Sequence, residues 1–225
     1  MSKVNKANKA GVNGGKKPSF FQENTKSIVF IAAGIFVLIL LYIGYQKLYL
    51  APRSEKAANQ MYKAEQYAAI DSLQSLAIEG DGSYPGFKEI AGEYSNTKSA
   101  NIANAYLGGL LLRRGEYQEA IKALEQYSPT GSQIIDPLIL GLLGDAYSES
   151  KAYDKAANYY KKAASTHSNE YTTPMFLKKL GLVYEELNDN KGALDAYKRI
   201  RSEYPNSNEG ASIDAYIARV EASLN

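Results

Sequence analysis

Cysteine and tryptophan are absent from the 225 residues, and histidine occurs once. Without cysteine there is no disulfide framework and no thiol chemistry. The single histidine, His167, lies in the polar stretch Thr166-His167-Ser168-Asn169, with neither a cysteine nor a second histidine to join it. Zinc ligation and a Ser-His-Asp triad therefore both lack their parts. Gly14-Gly15 precede Lys16-Lys17, but the spacing of a phosphate-binding loop is missing and no strand leads into it. These absences argue against an enzyme, and no metal or cofactor is expected.

Charge is missing from one stretch altogether. Ser27 to Gln46, SIVFIAAGIFVLILLYIGYQ, contains no charged residue. Twenty helical residues at about 1.5 Å each match the roughly 30 Å hydrocarbon core of a bilayer. Tyr42, Tyr45 and Tyr49 gather at one end, and Phe20 and Phe21 precede the other, the pattern of interfacial aromatic belts. The run is longer than a signal-peptide core, and Tyr49-Leu50-Ala51 lacks the small-x-small form of a cleavage site. An uncleaved anchor over residues 27–46 is expected.

Ahead of it, residues 1–26 hold six lysines (Lys3, Lys6, Lys9, Lys16, Lys17, Lys26) against Glu23 alone, so the net charge of +2 leaves the rest of the chain at −3. The basic pI belongs to this tail and gives no reason to expect nucleic-acid binding by the folded part. Almost devoid of apolar side chains, the tail is expected to be disordered and to stay cytoplasmic. The C-terminal part would then cross to the periplasm of a bacterium.

Beyond residue 100 the chain repeats. Leu107-Gly108, Leu143-Gly144 and Leu180-Gly181 occupy equivalent places. From each Gly, a Leu or Tyr follows three residues on (Leu111, Tyr147, Tyr184), an Ala twelve on (Ala120, Ala156, Ala193), and a Leu or Tyr sixteen on (Leu124, Tyr160, Tyr197). This pattern resembles the signature of tetratricopeptide repeats, paired antiparallel helices stacked into a solenoid. The fold class implied is all-α, a single N-terminal transmembrane helix followed by a tetratricopeptide-repeat α-solenoid. Units are expected from Asn101, Pro137 and Pro174, three repeats over residues 101–207. Turns are expected at Arg114-Gly115-Glu116, Ser150-Lys151-Ala152 and Asn188-Asp189-Asn190.

The flanks carry weaker patterns. Residues 53–79 have helical periodicity with Ala69, Ile70, Leu73, Leu76 and Ala77 on one side, and Phe87, Ile90, Ala91 and Tyr94 mark a shorter helix. Residues 47–100 thus read as a linking helix with a degenerate first unit. Gly210 to Leu224, with Ile213, Tyr216, Ile217 and Val220 at helical spacing, reads as the capping helix of a segment over 208–225.

The expected binding surface is the concave face lined by the first helix of each unit. In the first unit it would present Ile102, Ala105, Gly109, Leu112 and Arg113. The second would add Leu138, Gly141, Asp145, Ser148 and Glu149. The third would add Met175, Lys178, Leu182, Glu185 and Glu186. The lysine and asparagine of a clamp for chaperone C-termini are missing, because Ala105 and Gly109 stand in their places.

The whole arrangement is similar to the YfgM-like family. The likeness is carried by residues 84–91 (Tyr-Pro-Gly-Phe-Lys-Glu-Ile-Ala), Leu143-Gly144-Asp145-Ala146-Tyr147 and Thr173-Pro174-Met175-Phe176-Leu177, in the form found in Bacteroidota-type bacteria. The resemblance implies an inner-membrane, periplasm-facing accessory subunit of the Sec translocon (SecYEG). Its partners would be a membrane-anchored prolyl-isomerase-type chaperone and newly exported clients. The same anchor-plus-repeat plan would suit an adaptor for division, peptidoglycan or outer-membrane machinery. It would also suit a mitochondrial import receptor, with the opposite topology and the clamp that is missing here.

Overall fold

The computed structural model describes residues 24–224 and divides the chain into two compact units that meet at Tyr49-Leu50. In the first, α1 (Thr25–Gly44) is one helix with no buried residue, long and apolar enough to cross a membrane. Its backbone polar groups are satisfied within the helix, as a hydrocarbon environment requires. A wider, π-helical turn follows over Tyr45–Leu50. Tyr45 and Tyr49 stack there with ring centroids 5.4 Å apart, and Gln46 donates to the Tyr42 hydroxyl at 3.1 Å. The expected positions of Phe20, Phe21 and the lysine-rich tail up to Glu23 lie outside the described residues.

The second unit begins with α2 (Ala51–Ala68), which carries Pro52 in its first turn, where the missing N–H costs nothing. The helix expected over 53–79 is in fact broken. It ends at Ala68, Ile70 is extended and 49% exposed, a 3₁₀ turn spans Asp71–Leu73, and α3 covers Gln74–Glu79. Asp71 and Ser72 explain the break, because short polar side chains favour turns over helix interiors; Asp71 accepts from the Gln74 side chain at 2.8 Å. The buried side of α2 is Ala57, Met61 and Ala64, not Ala69 and Ile70. It packs against α4 (Phe87–Glu93) and α5 (Lys98–Arg113).

Three hairpins follow. They pair α5 with α6 (Tyr117–Glu125), α7 (Ile135–Glu149) with α8 (Tyr153–Ser165), and α9 (Thr172–Glu186) with α10 (Asn190–Glu203). Each first helix starts two or three residues ahead of the expected position. A 3₁₀ turn at Gly210–Ser212 leads into α11 (Ile213–Ser223), which buries Ile213, Ile217 and Val220 against α10.

The repeat residues act where their size demands. Ala120, Ala156 and Ala193 have no exposed surface. A Cβ on Gly108 would fall 2.4 Å from Leu124 Cγ, on Gly144 2.5 Å from Tyr160 Cε1, and on Gly181 2.2 Å from Tyr197 Cε1. The residue sixteen places after each glycine therefore lies directly on it, and the helix pair closes only because no side chain intervenes.

The three hairpin turns share one geometry. Gly115, Lys151 and Asn188 adopt left-handed conformations with φ of 78°, 59° and 59°. Their N–H groups donate to Leu112, Ser148 and Glu185 carbonyls, and the following N–H groups to Leu111, Tyr147 and Tyr184 carbonyls, all at 2.8–3.0 Å. This is the Schellman pattern, which satisfies the last carbonyls of a helix.

Between units, buried polar side chains hold the loops. Asp136, 4% exposed, accepts from the Thr130 and Gly131 N–H groups and from the Tyr127 and Thr130 hydroxyls at 2.7–3.1 Å. Burial alone would push its pKa up, but these donors outweigh that cost and hold it below the usual carboxylate range. One unit later, fully buried Thr173 accepts from the Asn169 N–H at 2.9 Å.

Candidate functional site

The first helices α5, α7 and α9 lie side by side and carry the residues singled out above. The structure divides them into three groups. Leu112, Leu138 and Met175 are half-buried and packed against the two core clusters. Gly141, expected on the open strip, is buried instead: a Cβ there would stand 1.9 Å from Phe176 Cε1 of the next unit. Ala105, Gly109 and Ser148 are half-buried.

The second group consists of carboxylates that are already engaged. Asp145 accepts from Lys179 Nζ at 2.6 and 2.8 Å and from the Tyr160 hydroxyl at 2.6 Å. Glu185 accepts from the Arg219 guanidinium through both oxygens, at 2.7 and 3.1 Å, and from the Tyr197 hydroxyl at 2.6 Å. Burial, reinforced by the neighbouring carboxylates, drives both phenols well above their ordinary pKa, so they remain donors. Lys178 lies over the Tyr216 ring, 4.6 Å from its centroid.

The third group faces solvent. Ile102 is 44% and Leu182 40% exposed, and Arg113, Glu149 and Glu186 are exposed beside them. Glu149 accepts from the Tyr117 hydroxyl at 3.3 Å. What remains open is an apolar strip edged by charges of both signs. Among the described residues, no three His, Cys, Asp or Glu side chains are grouped to hold a metal ion.

Several participants were not singled out in the sequence. Lys179 and Arg219 each stand 34 residues after the carboxylate they bind, close to one repeat step, so an opposite charge about one unit away was the available signal. Tyr106, 41% exposed, stacks on Phe87 with centroids 4.8 Å apart and planes 2° apart; nothing in the local pattern marks it.

A separate cleft of about 1110 Å³ opens between α4, α5 and α6, and of the expected strip residues only Ile102 reaches it. Its origin is visible one unit later. There, Leu140, Tyr147 and Tyr159 occupy the positions of Asn104, Leu111 and Ala123, and the two Tyr rings stack at 5.3 Å. Smaller side chains in the first unit leave that volume open.

Residues 88–133, 139–170 and 179–207 match models of the tetratricopeptide repeat. The chain carries tetratricopeptide repeats. The first match starts inside α4, ahead of Asn101, so the pattern reaches further toward the N-terminus than the Leu-Gly spacing indicates. No curated protein matches the chain. These repeats are protein-binding scaffolds, and a protein–protein interaction adaptor is the function they imply.

Proposed function

We propose that this chain is a membrane-tethered, non-enzymatic scaffold whose repeats work in the periplasm as an accessory part of the Sec channel. In this reading the exposed strip receives a membrane-anchored chaperone or a newly exported chain. The observation that carries it is the combination of an unburied apolar helix, α1, with repeats whose half-buried carboxylates Asp145 and Glu185 are satisfied by their own neighbours. Such a domain keeps its stacking contacts to itself and leaves Ile102, Leu182 and the charges around them for a partner. The likeness of the Tyr84–Ala91, Leu143–Tyr147 and Thr173–Leu177 segments to the YfgM-like family supports the assignment to the translocon. The Lys-rich tail supports a cytoplasmic N-terminus.

Purification of the tagged full-length protein in mild detergent, followed by mass spectrometry, tests the reading. Translocon and chaperone subunits are expected to co-purify. Their absence, with division or outer-membrane components in their place, would replace this reading by that of an envelope-assembly adaptor. Protease treatment of spheroplasts tests the orientation: the repeats should be digested without lysis.

A further inference from the structure

The outward faces of the second helices differ in charge. Between Lys151 and Ser165, the α8 hairpin turn and helix carry Lys151, Lys155, Lys161 and Lys162 against Asp154 alone, all of them exposed. On the other second helices most basic side chains are neutralised, Lys191 at the start of α10 excepted. On α6, Lys122 pairs with Glu119 at 2.8 Å. On α10, Lys198, Arg199 and Arg201 pair with Glu221, Glu203 and Asp214. Among the described residues, the four α8 lysines form no ion pair, although the chain beyond its membrane segment is net acidic.

Two of them lie on an aromatic platform. Lys155 Nζ is 5.1 Å from the centre of the Tyr147 ring, and Lys162 Nζ is 5.2 Å from that of Tyr159. The two rings stack on each other. A cation held over a ring is partly ordered, and the ammonium donors that do not face the ring stay free for a ligand. Two lysines seven positions apart on a helix stand about 10 Å apart along its axis. On an extended segment, carboxylates two and four residues apart share one face at about 7 and 13 Å, and these separations bracket the lysine spacing.

We propose that the outward face of α8 is a second docking surface, distinct from the first-helix strip, and that its ligand is an acidic segment of a partner protein. Charge complementarity selects the partner: four ammonium groups outside any ion pair, beside the Glu125 carboxylate that accepts from the Tyr147 hydroxyl at 3.0 Å, in a domain of opposite net charge. Lys155 and Lys162, pre-positioned by the tyrosines, supply the specific contacts, and Lys151 and Lys161 supply the surrounding field. The surface does not depend on the translocon reading; any adaptor with these repeats would carry it.

Full-length protein in detergent micelles, titrated into a fluorescein-labelled twelve-residue peptide of alternating Glu and Ser, provides the test by fluorescence anisotropy. Saturable binding is expected, weakening at least tenfold between 50 and 200 mM salt in the sense expected for ion-pair contacts. Lys155→Gln combined with Lys162→Gln should weaken it at least fivefold, and Lys122→Gln should leave it unchanged. The Lys155→Glu, Lys162→Glu variant should lose the Glu peptide and gain a Lys–Ser peptide of the same length. No saturable binding by the native protein, or equal loss with Lys122→Gln, would overturn the proposal. So would vesicles containing anionic lipid binding through the same lysines when the peptide does not. A mass-spectrometric search that finds no translocon subunit would leave this peptide result standing, so the two readings fail separately.

Discussion

Glu185 and Arg219 stand 34 residues apart and close a two-pronged ion pair from α9 to α11, at 2.7 and 3.1 Å. Asp145 and Lys179, also 34 residues apart, do the same from α7 to α9. Helix α11 therefore takes the place that the first helix of a further unit would occupy, and its Arg219 reaches back to α9 as Lys179 of α9 reaches back to α7. Arginine suits the terminal position, since its planar fork engages both carboxylate oxygens. A double-mutant cycle on Glu185→Ala and Arg219→Ala should give a coupling of about 0.5–1 kcal/mol in denaturant unfolding, small because Arg219 is half exposed. Glu185→Ala alone should cost more, about 1–3 kcal/mol, because the Tyr197 hydroxyl loses its acceptor. Glu185→Gln should recover part of that loss.

The adjacent glycines of α5 should respond in opposite directions. A Cβ on Gly108 meets Leu124 at 2.4 Å, whereas one on Gly109 meets nothing nearer than Leu142 Cδ1 at 3.9 Å. Gly108→Ala is expected to destabilise by about 1–3 kcal/mol through overpacking. Gly109→Ala should stabilise by about 0.5–1 kcal/mol through helix propensity. Urea unfolding monitored by circular dichroism measures both.

The hairpin turns offer a similar contrast. Lys151 holds a left-handed φ of 59° at the place where the first turn has Gly115 with φ of 78°. Lys151→Gly should stabilise by about 0.5–1 kcal/mol, since a side chain in that conformation costs about 1 kcal/mol. Gly115→Ala should destabilise by a similar amount. Thermal unfolding should place the two variants on opposite sides of the native protein.

Acid should reach the loop between the first and second hairpins through Asp136. Its folded pKa lies below the unfolded value, which is near 4. Its contribution is thus complete above about pH 4 and lost as pH falls through the folded value. Asp136→Asn should cost about 1–3 kcal/mol at pH 7, and the difference from native should shrink steadily below pH 4. Unfolding curves between pH 2 and 7 give this directly.

Much of the fold was legible because its closest contacts are local in the repeat. The glycine and the residues twelve and sixteen places on meet within one hairpin, so Gly144, Ala156 and Tyr160 declare themselves by spacing alone. Contacts between units left weaker traces. Gly141 looked open until Phe176 of the next unit was placed over it, and Asp145 and Glu185 looked free until the cations 34 residues on were seen. The end of α2 was missed because apolar periodicity runs on through Ala69 and Ile70 while Asp71 and Ser72 turn the backbone away. The strip of candidate residues was legible as a face, yet which members stay exposed depended on side chains from neighbouring helices.

The most direct test of a protein-holding scaffold is photo-crosslinking in living cells, with a photoreactive amino acid placed at Leu182, which is exposed on the strip, and at Ala211, exposed in the 3₁₀ turn before α11. A discrete set of partner proteins, including translocon or chaperone subunits, is predicted at position 182 and not at position 211. Identical capture from both positions, or none from 182, would contradict the account.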